Sequence, residues 1–169
     1  FSNGFIELPF VHMITGSVST VLMPMFSKIV YDKTDISKLT DLWQNALNKS
    51  AILIYPMVVY FIFYAREVVR ILYSAKYEAS SLYFTIAMTI NFFNIIIFAP
   101  LLLALGATKF YAGIHAIFAI IAWSIEYLLI LVFNSPVSIA IYSAVQSILL
   151  VLISLIYVAY LTQVDLRWL

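Results

Sequence analysis

Four ionisable side chains fall inside stretches otherwise built of Ile, Leu, Val, Phe and Ala: Glu7, His12, His115 and Glu126. A carboxyl group in such surroundings suits a site that takes up and releases a proton or a cation. His115, Ala119, Ala122 and Glu126 are spaced by four, three and four residues, with Ala112 extending the row. One helical face thus carries small and ionisable residues, while Ile114, Ile117, Ile121 and Leu128 take the other. Asn91 and Asn94 share a face of another apolar stretch, Gln146 lies in a further one, and His12, Gly16 and Ser19 follow Glu7 at helical spacing. Two readings stay open for these groups. They line a polar cavity, with Glu126 as the coupling-ion candidate, or they hydrogen-bond between helices and hold a bundle together. His12 and His115 also fit core histidines with satisfied ring nitrogens.

Other chemistry is excluded more firmly. The chain has no Cys, which removes disulfides, thiolate metal sites and cysteine nucleophiles together. It has no P-loop, no dinucleotide fingerprint, no HExxH and no GxSxG, and no polar loop long enough to build a catalytic head. No cofactor or metal is expected, and no enzyme. A net charge of +1 gives no basic field for nucleic acid.

These groups need elements to position them, and composition names the elements. Of 169 residues, 64% are hydrophobic and only 10% charged, where soluble domains carry roughly a quarter charged residues. A soluble globule of this size could not bury so much apolar surface. Crossing about 30 Å of hydrocarbon takes about 20 apolar residues per helix. Charge-poor stretches predict an all-α, polytopic transmembrane helical bundle of five spans, at residues 5–27, 50–65, 79–105, 110–133 and 136–161. The short second span is bracketed by Lys49 and Arg66, whose long stems reach the headgroups. Residues 35–49 read as an amphipathic lead-in helix that feeds straight into the second span, with Ile36, Leu39, Trp43, Ala46 and Leu47 on one side and the rest solvated against the membrane surface, and residues 66–77 as an outer amphipathic stretch. Gly106 suits the left-handed residue that ends the third span, while Ser135 and Pro136 suit the start of the fifth. Pro9, Pro24, Pro56 and Pro100 fall within spans, where each removes a backbone hydrogen bond and tends to kink its helix.

Lys and Arg counts set the orientation. Lys28, Lys33, Lys38, Lys49, Lys109 and Arg167 fall on one side, against Arg66, Arg70 and Lys76 on the other. The first set is assigned to the cytoplasm.

The segment GSVSTVLMPMFSKI (residues 16–29) resembles the end of a span in polysaccharide and lipid-linked oligosaccharide flippases, where a Pro, a bulky residue and Ser-Lys precede a cytoplasmic loop. The following unit, from DISKLTDLWQNALNKS through YPMVVYFIFYAREVVRILYSAKYEAS, is similar to theirs: an amphipathic lead-in, a span with a central Pro and an outer stretch. LLLALGATKFYAG (residues 101–113) resembles the turn between their next two spans. The resemblance implies the exporter superfamily that also holds multidrug extruders, with two six-helix bundles around a cavity. The chain would then supply most of the second bundle, with an N-terminal half as its partner. It implies flipping of a lipid-linked glycan across the cytoplasmic (inner) membrane, with membrane lipids as the other partners. Two alternatives remain: a cation-coupled extruder of drugs, and a scaffold subunit without a substrate path. Departures are Ser74-Ala75, where a Gly is common, the start of the fifth span, and the lack of cavity cations within the five spans.

Overall fold

The computed structural model describes residues 9–32, 36–133 and 135–163. Among them the fold is all-helical. The elements are α1 (Pro9–Tyr31), α2 (Ile36–Phe63), α3 (Ala65–Tyr73), a 3-10 helix (Ala75–Ser80), α4 (Ser81–Asn94), α5 (Ala99–Ala104), α6 (Thr108–Phe133) and α7 (Pro136–Thr162). Five stretches are long and apolar enough to cross a membrane: Pro9–Tyr31, Ser37–Phe63, Ala75–Ala104, Thr108–Phe133 and Pro136–Thr162.

α1 begins at Pro9, where a missing N–H costs nothing. Its hydroxyls are satisfied locally: Thr15, Ser17, Thr20 and Ser27 each donate to the carbonyl one turn earlier. Pro24 and Pro56 sit inside unbroken helices. Gly106, at φ +76°, ends the third span as expected, with Ala107 N–H donating to the Leu102 carbonyl. Ser135 occupies the position before α7, but its hydroxyl makes no capping bond. Its carbonyl instead accepts from the Ser138 hydroxyl. Beyond α2, Val69 of α3 packs with Ala65, Phe84 and Met88, while Arg66 pairs with Glu78 of the 3-10 helix.

The third span differs from the single kinked helix that its sequence predicts. It is broken. α4 ends at Asn94, residues 95–98 are not helical, and α5 resumes at Ala99. Pro100 explains the position, since it offers no N–H to the Ile96 carbonyl and its ring crowds that group. The break also changes neighbours: α4 packs against α2 and α7, whereas α5 packs against α1 and α6. Apolar clusters stack along the bundle. One joins Phe26, Leu39, Trp43, Leu47, Ile97, Leu101, Leu155 and Val158, and the next joins Val11, Ile54, Val58 and Ile95.

Candidate functional site

The site is built on α2. Leu39, Trp43, Leu47, Ser50, Ile54 and Val58 recur every three or four residues, and all six are buried. Asp41, Gln44, Asn45, Asn48 and Lys49 occupy the remaining arc and are exposed or half-buried. The sequence predicts an amphipathic helix over residues 35–49 that feeds straight into the second span, and the structure has both in one helix. Between Ile36 and Tyr55 no Gly or Pro turns the chain, so lead-in and span form one helix. Burying Leu39, Trp43 and Leu47 then holds its first half against the bundle. Lys49 is ten residues past Leu39, or ~15 Å along the axis. A polar, cationic arc therefore occupies the first half of a helix whose length as a whole suits a membrane crossing.

Side chains from this helix complete the broken span. Trp43 Nε1 donates to the Ile97 carbonyl at 2.7 Å, and Tyr55 Oη donates to the Phe92 carbonyl at 3.2 Å. Both carbonyls belong to the residues at or beside the break. Such repair is what permits irregular backbone inside a membrane protein.

Two concavities flank the arc. A cleft of about 460 Å³ is lined by Gln44, Asn48 and Tyr55 of α2, by Ile95 and Ile96 of the break, and by Leu152 and Leu155 of α7. A more open groove of about 370 Å³ lies between α1 and α2. Its walls are mostly apolar, with Ser17, Asn45 and Lys49 as its polar members. One helix face thus offers amides and a hydroxyl to one space and an ammonium beside an apolar channel to the other.

The residues singled out from sequence are placed elsewhere. Glu126 accepts a hydrogen bond from the Ser143 hydroxyl at 3.1 Å, and Gln146 Nε2 donates to the Phe118 carbonyl at 2.9 Å, so both join α6 to α7. Asn94 Nδ2 donates to Asn91 Oδ1 at 3.2 Å within α4, and Asn91 in turn faces Met88 Sδ at 3.8 Å. The His115 ring lies 4.5 Å from Tyr111, and its buried Nε2 has no hydrogen-bond partner among the described residues. His12 is exposed on α1. Glu7 lies outside the described residues. None of the described ones among these groups lines the two concavities. Among the described residues, no three His, Asp or Glu gather as metal ligands. Gln44, Asn45, Asn48 and Lys49 are not among the sequence candidates, because the polar arc of an amphipathic helix ordinarily faces solvent. Their signal is that this arc runs without a break into the second span.

A family model described as polysaccharide biosynthesis protein matches residues 2–82, just under half of the chain. The match covers α1, α2, α3 and the start of α4, and so contains the polar arc. It supports the polysaccharide flippase-type family to which the sequence motifs pointed. No curated protein matches the chain significantly, and no solved structure does. Five span-length helices and this match describe a polysaccharide-related, multi-pass membrane protein.

Proposed function

We propose that the chain is part of a transporter, not an enzyme, that flips a lipid-linked oligosaccharide precursor of a surface polysaccharide from the cytoplasmic to the outer leaflet of the inner membrane. The observation that carries this reading is the polar arc of α2, set on a span-length helix between a polar cleft and an apolar groove. Hydrocarbon solvates amides and an ammonium poorly, so such a face belongs against water or against another part of the protein. A glycan lipid presents both chemistries at once. Its sugar hydroxyls need amide and hydroxyl partners, its phosphate needs a cation, and its tail needs an apolar channel. Lys49 and Asn45 beside the groove match the phosphate end, and Gln44, Asn48 and Tyr55 match the sugars. That charge favours an anionic glycan lipid over a cationic drug. With a partner bundle across the arc, rocking of the two bundles would give alternating access.

The test is translocation of a fluorescent lipid-linked oligosaccharide by the full-length protein in proteoliposomes. Wild type should move the label to the opposite leaflet. Lys49→Gln should slow it about tenfold or more, the loss of roughly 1.4 kcal/mol of phosphate interaction, with unchanged insertion. A wild-type protein that leaves the label in its original leaflet overturns the reading.

A further inference from the structure

We propose that the polar pocket at the α3 end of the bundle binds the headgroup of a zwitterionic phospholipid with a primary ammonium, a phosphatidylethanolamine, with Arg70 on its phosphate and Glu67 on its ammonium. The pocket has a volume of about 280 Å³ and is lined by Arg66, Glu67, Arg70 and Glu78. Two of these four are already engaged, since Arg66 pairs with Glu78 and so ties α3 to the 3-10 helix. Among the described residues, neither Glu67 nor Arg70 has a side-chain hydrogen bond or ion pair. That is unusual for their spacing. A carboxylate and a guanidinium three residues apart on one helix have Cβ atoms about 5–6 Å apart and readily pair with each other. Here both line the pocket unpaired.

The place of the pocket in the fold says what can reach it. α3 is nine residues long, about 14 Å at the helical rise and too short to cross a bilayer. It joins a span-length stretch that ends at Phe63 to one that begins at Ala75, which sets it where spans meet headgroups. Its inner side is occupied, with Ala65 and Val69 packed on Phe84 and Met88. Its open side is partly apolar: Ile71 is 82% exposed and Leu72 55%, and Phe63 just before the helix is 79% exposed. Such side chains beside a charged pocket match a lipid whose chains cover them while its headgroup enters the pocket. Tyr73 and Tyr77, in ring contact, add the aromatic girdle of such a boundary.

Charge balance selects the headgroup. An anionic lipid would gain from Arg70 but meet repulsion from Glu67. A choline headgroup brings the phosphate, yet has no N–H to donate to a carboxylate. A phosphate and a primary ammonium joined by two carbons satisfy both side chains at once, each through a charge-assisted hydrogen bond.

The experiment is thermal unfolding of the full-length protein in nanodiscs of phosphatidylcholine alone, or with phosphatidylethanolamine or phosphatidylglycerol mixed in at equal share. The inference predicts melting a few degrees higher with phosphatidylethanolamine than in phosphatidylcholine alone, by linkage to binding, and a smaller rise with phosphatidylglycerol. Glu67→Gln and Arg70→Gln, both at exposed positions, should each abolish the phosphatidylethanolamine rise. Lys109→Gln, an exposed cation between the third and fourth spans at the other end of the bundle, should retain it. Equal melting in all three lipids overturns the site. A rise that survives Glu67→Gln or Arg70→Gln also overturns it, because the lipid then acts through the bulk bilayer. A larger rise with phosphatidylglycerol overturns the zwitterion assignment in favour of an anionic lipid. No glycan lipid is present in this measurement, so a failed site and a failed transport reading give separate results.

Discussion

The α6–α7 hairpin and the wall made by α2 and the broken third span both carry polar groups on span-length helices, and they handle them oppositely. In the hairpin, Glu126 meets Ser143 and Gln146 meets the Phe118 carbonyl, across two uninterrupted helices. Those polar groups are turned into ties between neighbours. In the wall, Trp43 and Tyr55 are spent on repairing the backbone of the third span, while Gln44, Asn45, Asn48 and Lys49 are left facing open space. The presence of polar residues in a span therefore does not locate a site. Whether a neighbouring helix has already satisfied them does.

Four substitutions would break or sharpen this contrast. The largest effect on activity is expected from Lys49→Gln, about a tenfold loss of glycan-lipid translocation with normal thermal stability. Trp43→Phe comes next and acts on stability. Trp43 is 4% exposed, and removing its N–H leaves the Ile97 carbonyl buried without a donor, at about 1–3 kcal/mol. Denaturation in detergent would show this as an earlier transition. Gln146→Leu deletes one interhelical tie, worth about 0.6 kcal/mol in membrane bundles, and translocation should persist at near the wild-type rate. Glu126→Gln is expected to change least, since an amide oxygen still accepts from Ser143. If that variant instead stopped translocation while melting normally, Glu126 would regain the role of coupling-ion site and the contrast would fail.

The all-helical fold and its five span-length stretches were legible because hydrocarbon imposes a length and a composition that sequence displays directly. Gly106 was legible for a similar reason, since a left-handed residue after a helix favours Gly. The apolar face of the first half of α2 was legible as well, in the spacing of Leu39, Trp43 and Leu47, but what covers it was not: α1, α5 and α7 close over it. Proline content was equally ambiguous. Pro24, Pro56 and Pro100 look alike in sequence, yet only Pro100 coincides with a break, where Trp43 and Tyr55 stand ready to take the freed carbonyls. Those partners are 54 and 37 residues away from the carbonyls they serve. No local pattern encodes that distance.

The exchange of neighbours along the third span carries a mechanical consequence. Its two segments are gripped by different pairs of helices and joined by four residues that belong to neither helix. Because α1 also packs on α2 and α6 on α7, the joint lets the third span pass from one pair of neighbours to the other while the helices stay packed in one cluster. The span works as a dog-leg strut instead of a straight rod, its bend pinned at one level by Trp43 and Tyr55.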